Sequence, residues 1–99
     1  MPFLIYAIDY PNMDKKREAY RQAHRDHHHR AGNKVLAAGA LLADDGKTII
    51  GGITLLDVNT REEAEKFMKD DPYSRIGIRK EVHVICWRKR WWNGQFLGE

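Results

Sequence analysis

Two strand-like runs, Phe3 to Asp9 and Lys34 to Ala43, are apolar on both of the faces between which a strand alternates. In the first run Phe3, Ile5 and Ala7 share one side, and Leu4, Tyr6 and Ile8 share the other. An antiparallel sheet with one face in water alternates apolar and polar residues. These runs do not, so both faces of their sheet must be covered. No other feature constrains the fold as much, because 99 residues predict a single domain, 1–99, with little chain to spare. Residues 90–99 read as a C-terminal tail.

The remaining elements follow from punctuation and period. Pro11 ends the first strand, and Asp14 is placed to cap a helix from Lys15 to Ala31, closed by Gly32-Asn33. Its inward stripe at three- and four-residue spacing would be Tyr20, Ala23, His24, His27 and Ala31, an unusually polar set for a buried face. Asp44-Asp45-Gly46-Lys47 signals a hairpin between the second strand and a third, Thr48 to Asp57. Gly51-Gly52 inside that strand predicts a bulge or a close backbone approach. Thr60-Arg61-Glu62-Glu63 matches a capping box, and Ala64, Phe67 and Met68 form the buried stripe of the helix it opens. Asp70-Asp71-Pro72 stops that helix, Tyr73 to Ile78 connects, and Lys80 to Arg88 is a fourth strand. The order βαββαβ is the split pattern of an α+β, ferredoxin-like domain with a four-stranded antiparallel sheet. Its two helices can cover one face. The simplest cover for the other is a second copy of the chain, which predicts a homodimer.

Composition narrows the function classes. The net charge is +3 with histidines neutral, too mild for a nucleic-acid signature, so no nucleic-acid partner is expected. No apolar run reaches the roughly 20 residues of a membrane span, so no membrane partner is expected. The opening residues read as a strand and not as a signal peptide. One cysteine, Cys86, excludes an intrachain disulfide and fits a cytoplasmic location. Cys86 lies among apolar residues and reads as core. The basic and aromatic tail segment Arg88-Lys89-Arg90-Trp91-Trp92 is expected to pack on protein.

Besides that tail segment, two groups could carry chemistry. The fold can bring His24, on the inward side of the first helix, to Asp71 at the end of the second. A carboxylate on one ring nitrogen fixes the tautomer and raises the basicity of the other, which suits acid–base work. The same residues read structurally are a helix stop and a half-buried histidine. His24 and His28 are one turn apart and could chelate a metal, with His27, His29 and His83 as further candidates; the plainer reading is a polar helix face. Arg21 and Tyr73 flank the His24–Asp71 pair in sequence.

A resemblance extends these readings. The opening Phe-Leu-Ile-Tyr-Ala-Ile-Asp, Arg21-x-x-His24, Leu36-Ala37-Ala38-Gly39-Ala40-Leu41-Leu42, Asp44-Asp45-Gly46, Gly51-Gly52, Glu63-Ala64 before Phe67 and Asp70-Asp71-Pro72-Tyr73 stand in the order and spacing of the YCII-related family. The resemblance spans about residues 3 to 88 and implies a dimeric α/β barrel built from ferredoxin-like units. It also implies an active-site pair at His24 and Asp71, and lyase, isomerase or dehalogenase chemistry on small catabolites. The chain departs from the family pattern in places. Ala40 and Cys86 stand where prolines are usual, and His27-His28 replace an aromatic-leucine pair.

The expected function is therefore a small-molecule enzyme with His24 as general acid or base and Asp71 orienting it. Arg21 would hold an anionic or enolate group, Tyr73 would line the pocket, and His27 and His28 would join them as substrate-binding residues. This chemistry requires no metal and no organic cofactor. The alternatives are a non-catalytic ligand-binding or accessory dimer and, more weakly, a metal-binding protein using the run His24 to His29.

Overall fold

Alternation along the first strand sets the architecture. In the computed structural model, which describes residues 2–99, β1 (Pro2–Asp9) buries Phe3, Ile5, Ala7 and Asp9 and leaves the residues between them half-buried. Helix α1 (Asp14–Ala31) follows, then β2 (Val35–Leu42), β3 (Ile49–Asp57), α2 (Arg61–Asp70), a short α3 (Pro72–Arg75) and β4 (Arg79–Cys86). The tail folds into a small hairpin of β5 (Trp91–Trp92) and β6 (Gln95–Phe96). The main sheet is antiparallel in the order β2-β3-β1-β4, so the fold is the expected ferredoxin-like α+β arrangement.

Register decides which side chains share a face. Phe3 lies opposite Leu56 and Cys86, and Ile5 opposite Thr54 and Val84, all on the helix-covered face. The core there is Phe3, Ile5, Leu56, Val58 and Ala64, with Phe67 and Met68 of α2 packed against it. Each large side chain buried there contributes about 1.5–3 kcal/mol. The opposite face carries Leu4, Tyr6 and Ile8 beside Ile53, Leu55 and Ile85, the last 48% exposed.

Gly51 shows why a glycine stands mid-strand. A Cβ there would lie 2.0 Å from the Ala7 carbonyl oxygen, so only glycine permits this approach. The turn before it is closed by Asp45, whose carboxylate accepts from the amides of Lys47 and Thr48, each at 2.8 Å.

Several expectations need correction. Asp14 does not cap α1; it is the first helical residue, and Met13 at the N-cap makes no side-chain bond. Tyr20 and Ala23 are exposed, and α1 buries no residue at all. Its inward side is carried by half-buried Arg17, His24, His27, His28 and Ala31, because a cavity separates part of the helix from the sheet. The connector after Asp71 contains α3, since Asp71 caps a new helix with Pro72 in its first turn. Glu63 accepts from the Thr60 hydroxyl at 3.3 Å, not from its amide, although the Thr60 oxygen does accept from the Glu63 amide at 3.2 Å. Cys86 is exposed at the end of an edge strand, so it is not core. In the single chain Trp91, Phe96 and Leu97 are exposed, and Trp91 and Phe96 meet each other, ring centroids 5.2 Å apart, which leaves them free for the expected contact with a second copy. No helix among the described residues is long and apolar enough to cross a membrane.

Candidate active site

Asp71 is the fixed point of the site. Helix α2 ends at Asp70, Pro72 can open a helix but not continue one, and Asp71 between them caps α3. Its Oδ1 accepts from the Tyr73 amide at 3.0 Å and from His24 Nδ1 at 2.8 Å. Its Oδ2 accepts from Arg79 at 3.0 Å. The residue is 2% exposed. Burial pushes its carboxyl up, but the His24 bond, the Arg79 charge and the Tyr73 amide together hold it below the ordinary carboxylate value. Asp71 is therefore ionised near neutral pH, and a buried charge that would be costly alone is met by donors on both oxygens.

A carboxylate oxygen only accepts, so His24 Nδ1 carries the hydrogen and Nε2 is the nitrogen left to act. No other described residue hydrogen-bonds the His24 ring. Tyr73 stacks on it at 4.1 Å between centroids, and His28 lies against it at 4.4 Å. Tyr73 is itself buried and tied down, because its hydroxyl donates to the Arg17 carbonyl at 3.1 Å. Burial raises its pKa above the usual tyrosine value, so it stays a neutral hydroxyl.

His28 has its own fixed tautomer. Its Nδ1 faces the His24 carbonyl at 3.1 Å, which can only accept, so Nδ1 bears the hydrogen. Its Nε2 accepts from the Thr54 hydroxyl at 3.1 Å. Burial lowers the His28 pKa from the ordinary 6.5, so the ring is neutral at pH 7.

His24, His28, Thr54, Tyr73 and Arg79 line a cavity of about 440 Å³ between α1 and the sheet, and buried Asp71 holds His24 without bordering the cavity. Small side chains form much of its floor: Ala7, Ala38, Ala40, Gly52 and Thr54. Arg17, Arg21, Arg25 and His29 enter it from α1 at four-residue intervals, one helical stripe. Arg17 is bound to Asp9 at 2.6 Å and to the Gly51 carbonyl at 3.2 Å. Arg21 is half exposed and pairs with Glu18 at 2.5 Å, whereas Arg25 makes no ion pair with any described residue. With Asp9 and Asp71 already matched by arginines, the remaining charge of the lining is positive and suits an anion.

The structure thus brings His24, Asp71, Arg21, Tyr73 and His28 together. It does not bring His27. That ring faces α2, where Nε2 donates to the Phe67 carbonyl at 2.8 Å and the ring stacks on Phe67 at 4.3 Å. His27 borders a separate groove of about 650 Å³ between α1 and α2, so the expectation that it contacts a ligand beside His24 does not hold. His83 sits on the opposite sheet face beside Tyr6. Four residues were missed by sequence reasoning. Arg17 and Arg25 could have been found from their spacing to Arg21. Arg79 and Thr54 needed the register of β4 and β3, which no local signal gives.

The comparisons bear on the fold and the family. A solved structure, 5-chloro-2-hydroxyhydroquinone dehydrochlorinase (TftG) from Burkholderia phenoliruptrix in complex with 2,5-dihydroxybenzoquinone, superposes with a TM-score of 0.81. It is 25% identical, and the match covers 89% of this chain and 94% of that one. No curated protein sequence matches significantly. The family model for the YCII-related domain matches residues 1–88, and the chain belongs to that family.

Proposed function

We propose that the chain is a cofactor-independent acid–base enzyme acting on a small anionic molecule held in the cavity beneath α1. The observation that carries this reading is the His24–Asp71 contact of 2.8 Å at the cavity wall, with Asp71 also bound by Arg79 and the Tyr73 amide. His24 Nε2 takes a proton from the bound molecule while chloride departs with its bonding electron pair, and Asp71 stabilises the imidazolium that forms. Arg21 and Arg25 attract and hold the anionic end. The likeness to a dehydrochlorinase supports elimination over the other reaction types.

The same reading includes one domain with residues 90–99 as its tail, and a homodimer joined through the open sheet face. Leu4, Tyr6, Ile8, Ile53 and Leu55 form a contiguous apolar surface of the kind that marks an interface. Light scattering at micromolar concentration should give about twice the 11.6 kDa chain mass. For the site itself, the test is binding of 2,5-dihydroxybenzoquinone followed by thermal shift. The intact protein should be stabilised, and Arg25→Ala should lose most of that shift. An unchanged shift in Arg25→Ala would remove the anion cradle from the account.

A further inference from the structure

We propose that His24, His28 and Asp71 form a binding site for a zinc-type divalent cation, which competes with acid–base use of the same residues. One donor atom from each of the three lies within 4.8 Å of the others. His24 and His28 are one helical turn apart on α1, and Asp71 comes from the α2–α3 junction, so the set is fixed by two separate segments. His24 Nδ1 and Asp71 Oδ1 are 2.8 Å apart. Two ligands of a tetrahedral zinc at about 2.0–2.1 Å are separated by roughly 3.3 Å, so a shift of about half an ångström accommodates the ion.

The surroundings resemble a metal site in one further respect. A ligating histidine usually donates its second ring N–H to a carbonyl or carboxylate, which fixes the tautomer. His28 does this through Nδ1 to the His24 carbonyl, leaving Nε2 toward Thr54. Two imidazoles and one carboxylate suit zinc, whereas a single carboxylate is a poor set for magnesium or calcium. His24 and His28 border the cavity, where Arg21 and Arg25 would favour an anionic fourth ligand such as chloride. His83, the third ligand considered from sequence, lies on the other face of the sheet and takes no part.

The consequence for activity rests on the proposed acid–base function, since a metal-held His24 cannot exchange a proton with a substrate. The site itself does not, and binding is measured without turnover. Calorimetric titration of the intact, chelator-treated protein with zinc chloride should show one ion per chain, and magnesium chloride should give no heat. His28→Leu and Asp71→Asn should each weaken zinc binding at least about tenfold, with folding checked by circular dichroism. His28→Leu carries the test alone if Asp71→Asn does not fold. His29→Ala and His83→Ala should leave the affinity within about twofold. No zinc binding at about 100 µM, or binding lost in His29→Ala instead of His28→Leu, overturns the site and leaves the acid–base function standing. Zinc-loaded protein that turns over faster than metal-free protein keeps the site and overturns the metal-free mechanism.

Discussion

Helices α1 and α2 cover the same face of the sheet, yet they are built for different ends. Helix α2 is capped by Thr60, buries Ala64 completely and packs Phe67 and Met68 on the core. Helix α1 has eight more residues, 18 against 10, and buries none of them. Its inward side carries arginines and imidazoles over a cavity. Burial of apolar surface is the main source of fold stability, so α1 gives up stability that α2 supplies. Ionisable side chains kept toward a sheet, most of them with a fixed partner, support the proposal that the cavity under α1 is the functional site.

The largest effect should come from the anchor that joins the two helices. Arg79→Ala leaves Asp71 buried with one oxygen unmatched, and this should cost about 3–5 kcal/mol in urea unfolding. Arg75→Ala removes only an exposed partner of Asp70 and should cost about 0–1 kcal/mol. Equal losses would mean that Asp71 relaxes into water and is no fixed point. Phe67→Ala should come next, at about 2 kcal/mol, because the ring is only partly buried but meets both the core and His27. A loss below about 0.5 kcal/mol would contradict the role given to α2.

The smallest effect should come from α1 itself. At pH 8, His28→Leu should cost about 1 kcal/mol, because its bonds to the His24 carbonyl and the Thr54 hydroxyl are lost while leucine keeps apolar contact in their place. The pH dependence is more telling. The folded His28 has a pKa below 6.5, so the unfolded chain binds more protons in the window just under that value. Stability should therefore be complete above about pH 6.5 and fall as the pH drops through the window. His28→Leu should flatten this fall. Asp71 acts in a lower window: its contribution is present above the ordinary carboxylate value of 3.8 and is lost as the pH falls below it. An unchanged slope in His28→Leu between pH 6.5 and 5 would show that the ring does not titrate as its burial requires.

Much of this division can be read in the sequence. The double-sided apolar runs around Phe3 and Leu36 and the capping box at Thr60 are local patterns, so the element order and α2 were legible. The His24–Asp71 juxtaposition was reachable because both residues sit at element positions the fold brings together. The failures have physical causes. Tyr20 and Ala23 were assigned inward by assuming that α1 packs directly on the sheet, whereas a cavity intervenes and Arg17 and His28 turn inward instead. His27 fits the same period as His24, but its ring is drawn to the Phe67 carbonyl on α2. Arg79 and Thr54 reach the site only through sheet register, and Cys86 escapes burial because β4 is an edge strand.

Chloride release from 5-chloro-2-hydroxyhydroquinone, followed for the intact protein and for His24→Ala alongside their melting temperatures, tests the acid–base role of His24 most directly. The account predicts turnover by the intact protein and a loss of about 10²–10⁴-fold in His24→Ala, the range expected for removing a general acid or base. The melting temperature should change by only a few degrees, because α1 contributes little to the core. Undiminished release by His24→Ala, or no release by the intact protein, would contradict it.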